Sequence, residues 1–129
     1  MKVIKKKSFP QVELSVDNVL ENKEYKVLLI EYYHNEELYR IINEKNEPQL
    51  YPSIAFNIVD NSLDKIWRVI PFDEKYYNDE IHDGNGLRYI GPKEFSYNYY
   101  FFRDWFNNKK KEKKVLKDFL ESYPEYKNE

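Results

Sequence analysis

Tyr25-Lys26-Val27-Leu28-Leu29-Ile30-Glu31-Tyr32, a polar break at His34-Asn35-Glu36-Glu37, and then Leu38-Tyr39-Arg40-Ile41-Ile42 decide the fold. Both apolar stretches are rich in β-branched and aromatic residues and short for helices, so they read as strands. The turn Asn43-Glu44-Lys45-Asn46-Glu47 follows, with asparagines that tolerate left-handed backbone. Pro48 marks an edge or a strand start, and Gln49-Leu50-Tyr51 and Phe56-Asn57-Ile58-Val59 read as short strands around Pro52-Ser53. Upstream, Val12, Leu14 and Val16 alternate with Glu13 and Ser15, the period of a half-buried strand. Strands at roughly 10-residue spacing predict a small barrel or sandwich over residues 12–60.

Downstream, Asp60-Asn61-Ser62 is a polar break and the candidate boundary between residues 1–60 and residues 61–129. It is too short for a flexible linker, so the two parts are expected to pack as one unit. Ile66-Trp67-Arg68-Val69-Ile70, closed by Pro71, reads as a strand. Leu87-Arg88-Tyr89-Ile90 reads as its hairpin partner across a long tip that ends in the turn Asp83-Gly84-Asn85-Gly86. Gly91-Pro92 is expected to open a helix, since proline suits a first helical position and Glu94 suits the positive end of the dipole. Phe95, Tyr99, Phe102 and Phe106 fall at i, i+4, i+7 and i+11, one helical face that Trp105 widens. This row of rings is the expected clamp between helix and sheet, with an exposed partner-binding ridge as the other reading. Asn107-Asn108 ends that helix, and a second is expected from about Lys110 to Ser122. Its apolar face is Val115, Leu116, Phe119, Leu120 and Tyr123, with Pro124 beyond its end. The fold class is therefore α+β: a small N-terminal β-barrel, a β-hairpin, and two C-terminal helices packed on it.

Lys23-Glu24-Tyr25-Lys26-Val27-Leu28, then Leu38-Tyr39-Arg40-Ile41, then Leu50-Tyr51-Pro52-Ser53-Ile54-Ala55-Phe56-Asn57-Ile58-Val59 resemble the strand order of a bacterial SH3-like barrel domain of unknown function. The resemblance covers residues of about 12–60 only. In that family an apolar strand follows the first long loop, an aromatic pair opens the next strand, and a Pro-Ser tight turn precedes the last. The proline locks φ, the turn folds one strand onto the next, and closure removes exposed edges. Leu38 stands where eukaryotic SH3 domains carry a tryptophan, one extra residue precedes Phe56, and no acidic tyrosine motif lies upstream of Val19. The resemblance thus implies the barrel and does not extend to recognition of proline-rich peptides.

The composition excludes several classes. The chain has 129 residues, which bounds it at one domain or two small ones. Its 13 Tyr, 8 Phe and 2 Trp can supply a packed core, against disorder. With 3 Gly, 6 Pro and no repeat period, it is not fibrous. With no Cys there is no disulfide framework, and the cytoplasm is the expected compartment. No apolar run is long enough to span a membrane, and the basic start lacks a signal peptide's apolar centre. One Ala and no Thr beside abundant Lys, Asn, Ile and Tyr look like codon bias from an AT-rich genome.

Charge is sorted along the chain despite a net of −2. Lys2, Lys5, Lys6 and Lys7 make the start basic; residues 13–47 hold nine acids against four bases. Residues 73–83 hold five acids against Lys75, and residues 109–117 hold six lysines against Glu112. Each block reads as a solvated face or as one pole of a surface that docks a charged partner.

Catalytic chemistry finds little support. His34 and His82 stand alone in polar turns, no serine sits in a nucleophile-elbow context, and glycines at 84, 86 and 91 make no phosphate loop. Asp79-Glu80-Ile81-His82-Asp83-Gly84-Asn85-Gly86 fails as a hard-cation loop, because ligand positions three and twelve fall on Ile81 and Ile90. No catalytic residue, metal ligand or cofactor is assigned. The expected function is a small cytoplasmic, non-enzymatic protein-binding module of bacterial type, immunity- or antitoxin-like or accessory to a mobile element. Candidate contacts are Tyr32, Tyr33, Tyr39 and Tyr51, with Asp73, Glu74, Tyr76, Tyr77, Asp79, Glu80 and Asp83 of the acidic loop. The alternative is nucleic-acid binding through Lys109, Lys110, Lys111, Lys113, Lys114 and Lys117.

Overall fold

The computed structural model describes residues 1–8, 16–33, 36–71 and 87–128. The strand expected at residues 12–16 lies outside them apart from Val16, as do both histidines, the hairpin tip and all seven acidic-loop candidates from Asp73 to Asp83. The fold is α+β: an antiparallel sheet with two C-terminal helices. The strands are β1 (Lys2–Lys5), β2 (Glu24–Tyr33), β3 (Glu36–Ile42), β4 (Pro48–Pro52), β5 (Phe56–Asp60), β6 (Trp67–Pro71) and β7 (Leu87–Pro92). The helices are α1 (Phe101–Phe106) and α2 (Lys110–Ser122), and 3₁₀ turns lie at Ser53–Ala55, Lys93–Phe95 and Pro124–Tyr126.

β2 organises everything else. From Val27 onward it faces β3, through pairs running from Val27↔Ile41 to Tyr33↔Glu36. Its N-terminal half pairs β1, from Lys26↔Lys2 to Glu24↔Ile4, and its C-terminal half pairs β7 at Ile30↔Ile90 and Glu31↔Tyr89. The sheet therefore forks along one strand. One branch runs on through β1 to β5, and the other through β7 to β6.

The run Val27-Leu28-Leu29-Ile30 serves the fork. A register shift between Val27 and Leu29 interrupts the strict alternation of the pleat. Val27 and Ile30 enter one core with Val3, Tyr39, Ile41, Tyr51, Phe56 and Trp67. Leu28 and Leu29 enter a second, with Ile42, Tyr89, Phe95, Phe101, Phe102, Leu116, Phe119 and Tyr126. Four consecutive apolar residues are needed because β2 is covered on both faces. The second core joins β2 and β3 to the hairpin and helices, and Trp67 Nε1 of β6 donates to Tyr126 Oη at 3.0 Å across the two.

Two expectations are corrected, and one strand is added. The β segments do not close into a ring: the five-stranded path β4-β3-β2-β1-β5 is open, and the 3₁₀ turn Ser53–Ala55 swings β5 onto β1 rather than onto the outer edge of β4. The first strand of that path is the lysine-rich Lys2–Lys5, whose Val3 is fully buried between β2 and β5. The helix expected from Gly91-Pro92 is also broken. Pro92 ends β7, a 3₁₀ turn covers Lys93–Phe95, and α1 starts only at Phe101.

The reason lies in residues 96–100. Asn98 Oδ1 accepts the backbone N–H of Tyr100 at 2.9 Å, and Asn98 Nδ2 donates to Asp104 at 2.9 Å. Arg88 donates to the carbonyls of Ser96 at 3.1 Å and Asn98 at 2.8 Å, taking acceptors that a helix would use. Phe95 and Phe102 still reach the second core, but Tyr99 is half-buried and Phe106 is 38% exposed, so the four do not share a helical face. α1 buries Phe101 instead.

The rest follows the sequence closely. β6 and β7 form the expected antiparallel hairpin. α2 spans the expected residues and buries Leu116 and Phe119. Asn46 and Asn108 adopt φ of 60° and 61°, the left-handed backbone that lets the β3–β4 turn close and α1 stop.

Candidate binding cleft

A cleft of about 410 Å³ opens where the forked sheet meets the segment between β7 and α1. Glu31, Tyr32 and Tyr33 of β2, Arg40 of β3 and Leu50 of β4 form one wall; Arg88 and Tyr89 come from β7. Phe95, Tyr99, Tyr100, Phe101, Phe102 and Arg103 complete it. Rings dominate this lining, and three of the chain's four arginines are in it.

Each arginine is held differently. Arg40 is 8% exposed; its Nε donates to Glu31 Oε2 at 2.5 Å, its Nη1 to the Pro48 carbonyl at 3.0 Å, and its guanidinium lies 4.2 Å from the centre of the Phe102 ring. Arg88 ties the 96–100 segment to β7 through the two carbonyls above and stacks 4.7 Å over Tyr99. Arg103, on the rim with a side chain 61% exposed, lies 4.0 Å over Tyr100. A guanidinium over a ring face gains from the ring quadrupole, and Arg103 also donates through Nε and Nη2 to Asp104 Oδ1 at 3.3 Å.

Beneath the cleft, Tyr89 is buried and donates its hydroxyl to the Pro92 carbonyl at 2.7 Å. Burial pushes its phenol well above the usual tyrosine range, with Arg88 nearby opposing the rise. Burial, reinforced by Glu37, also raises Tyr32. Glu31, the only carboxylate among the described residues of the lining, is engaged by Arg40. Among the described residues no cluster of His, Cys, Asp and Glu could hold a metal ion.

Of the tyrosines singled out in the sequence, Tyr32 and Tyr33 line this cleft. Tyr39 and Tyr51 do not belong to it. Both point into the first core, 2% and 1% exposed, packed against Phe56. Burial, with Glu37 adding to it, pushes the Tyr39 phenol up to about 12. The Tyr51 hydroxyl donates to the Asp17 carbonyl at 2.6 Å and accepts from Asn43 Nδ2 at 3.1 Å. The alternation of β3 and β4 explains the exclusion, since Arg40 and Leu50, their immediate neighbours, are the residues that face the cleft.

The basic patch is separate. Lys109, Lys110, Lys111, Lys114 and Lys117 are exposed on and just before α2, and Lys113 is half-buried. Several are engaged within the helix region: Lys114 with Asp118 at 2.6 Å, Lys111 over Tyr97 at 4.5 Å, and Lys113 over Trp105 at 3.3 Å. The buried Glu112 accepts the Tyr97 hydroxyl.

Sequence reasoning missed Arg40, Arg88 and Arg103. The available signal was their rarity: in a chain whose basic residues are mostly lysine, four arginines stand out, and two of them, Arg88 and Arg103, adjoin an aromatic residue of the lining, Tyr89 and Phe102. No helix among the described residues is long and apolar enough to cross a membrane. Comparison with protein-family models, with curated proteins and with solved structures finds no match.

Proposed function

We propose that this protein is a small, non-catalytic protein-binding module on an SH3-like β scaffold, with the arginine-and-ring cleft as its recognition surface. The connectivity supports the scaffold: β1 pairs both β2 and β5, β2–β3–β4 form a meander, and a 3₁₀ turn stands between β4 and β5. The hairpin and helices then add a second wall to the sheet, and the cleft lies between the two. The observation that carries the reading is the composition of this cleft. Tyrosine and arginine are the residue types enriched where proteins bury binding contacts, and here they are gathered in one concavity. Immunity- or antitoxin-type pairing is the concrete form of this role.

Tagged protein used to capture partners from its native lysate tests the reading. Wild type is expected to retain one stoichiometric protein. Tyr100→Ala, which removes part of the lining, is expected to lose it, and Lys111→Glu with Lys114→Glu is expected to keep it. No captured protein, or one lost only by the lysine variant, overturns the proposal. The exposed lysines of α2 favour nucleic acid as the second reading; binding to random RNA or DNA that weakens steeply between about 50 and 200 mM salt would identify it.

A further inference from the structure

We propose that the outer face of α2, with the exposed ring of Phe106 beside it, is a contact surface for single-stranded nucleic acid. This rests on the nucleic-acid reading of the α2 lysines and specifies the kind of strand; it does not depend on the protein-binding cleft, whose lining contains no α2 residue.

The helical period sorts the lysines of α2. At about 100° per residue, Lys110, Lys113, Lys114 and Lys117 fall within one stripe about 100° wide and about 10 Å long. The buried Glu112, Leu116 and Phe119 lie on the opposite side. Glu112 is the only acid between Lys110 and Lys117, and it is turned inward, 5% exposed, where it accepts the Tyr97 hydroxyl. The outward face over these residues therefore carries no carboxylate of its own. Asp118, just beyond it, engages Lys114 at 2.6 Å, whereas Lys110 and Lys117 make no ion pair among the described residues.

These lysines stand at the end of the helix where they help it least. The first turn of α2 has one acid, the inward Glu112; Lys109 supplies no side-chain cap, and the last turn has no basic residue. Lysines near a helix N-terminus oppose the macrodipole, and the same residues near its C-terminus would assist it. No contact among the described residues offsets that placement at Lys110 and Lys117, whereas a row of phosphates does.

A ring pair adjoins the stripe. Lys113 Nζ lies 3.3 Å from the centre of the Trp105 ring, and Phe106, 38% exposed, meets Trp105 edge-on with ring centres 5.0 Å apart. An unpaired base can stack on an exposed ring beside a phosphate-binding row. The bases of a duplex are stacked on one another and offer only their edges, so a duplex gains the phosphate contacts alone.

The test uses the full chain and two fluorescein-labelled probes, a short oligothymidylate and a DNA duplex of the same length, followed by fluorescence anisotropy. Wild type is expected to bind the single strand about tenfold more tightly, the size of one stacked base. Phe106→Ala, at an exposed position, is expected to abolish that preference and keep the salt dependence. Lys110→Gln with Lys117→Gln is expected to weaken binding of both probes. It should also lower the slope of log affinity against log salt on the single strand by about 1.4, at about 0.7 per phosphate contact. An unchanged urea midpoint shows that each variant is folded. Equal or tighter binding of the duplex, or a preference that survives Phe106→Ala, overturns the single-strand inference and leaves nucleic-acid binding by the lysines standing. Binding of neither probe, or an unchanged slope in the lysine variant, overturns both. Binding to phosphatidylserine vesicles by a protein that takes neither probe also overturns the inference, in favour of a lipid surface. Capture of a lysate protein through Tyr100 is unaffected by any of these results.

Discussion

Replacing Gly91 by alanine tests whether the second branch of the sheet is held by close backbone approach. Gly91 lies on β7 opposite Arg68 of β6. A Cβ placed on it would stand 2.4 Å from Leu29 Cβ and 3.1 Å from Leu29 Cα. Non-bonded carbons settle at about 3.5–4.0 Å, so β7 must retreat from β2 by about 1 Å. The obstructing atom is a Cβ, so no rotamer change at Leu29 relieves the contact. β7 meets β2 through only two residue pairs, Ile30↔Ile90 and Glu31↔Tyr89, and the retreat strains both. It also loosens Leu29 against its core neighbours Tyr89 and Phe95. Overpacking costs about 1–3 kcal/mol, and the upper half of that range is expected here. Urea unfolding followed by tryptophan fluorescence measures it. With a slope of about 2 kcal/mol per M, a loss of about 2 kcal/mol lowers the midpoint by about 1 M. Leu29→Ala keeps the Cβ, so the double variant should not recover the loss. The reasoning is refuted by a change within about 0.5 kcal/mol of wild type, or by rescue through Leu29→Ala.

Tyr126→Phe tests the tie between the C-terminal turn and the sheet. It leaves the buried indole N–H of Trp67 without its acceptor, and should destabilise by about 1–3 kcal/mol in the same urea assay. A neutral result would mean that this bond contributes nothing. Alkaline stability tests the buried phenols. Burial pushes Tyr25 and Tyr39 up to about 12 and raises Tyr89 and Tyr126 further, while unfolded tyrosines ionise near pH 10. Between about pH 10 and 12 the folded chain keeps protons that the unfolded chain has lost, so stability is constant below this window and falls through it. Urea midpoints and phenolate absorbance over that range should move together; full ionisation near pH 10 with no loss of midpoint would contradict the burial of these rings.

The parts of the fold legible in the sequence are those whose pattern is local. Val115, Leu116, Phe119 and Leu120 mark the inner face of α2, and the apolar stretches of β2, β3 and β5 announce strands without reference to their partners. β1 was hidden because two of its four residues are lysines. Val3 becomes core only when β2 and β5 close over it, a long-range fact that no local pattern carries. Tyr39 and Tyr51 were misplaced for a related reason. A tyrosine has both a polar tip and an apolar body, and here the tips are satisfied internally: the Tyr51 hydroxyl by Asp17 and Asn43, the Tyr39 hydroxyl by Glu37 at 3.4 Å. Strand parity would have separated them from Arg40 and Leu50, had the arginine been taken as the reference point.

The most instructive difference is the broken helix, because its failure and the cleft have one cause. Phe95, Tyr99, Phe102 and Phe106 do fit a helical period, and a continuous helix would satisfy its own carbonyls at Ser96 and Asn98. Arg88 would then have no acceptors there. In the observed fold both carbonyls accept from Arg88, that of Asn98 also from the Phe101 N–H in a turn, and the Asn98 side chain holds the bend. That exchange brings Tyr99 under the Arg88 guanidinium and sets Tyr100 beside Arg103. It also leaves space between this segment and β2 that a straight helix packed along the sheet would fill. Asn98 and Arg88 therefore oppose regular secondary structure locally, and through that opposition they form one wall of the cleft.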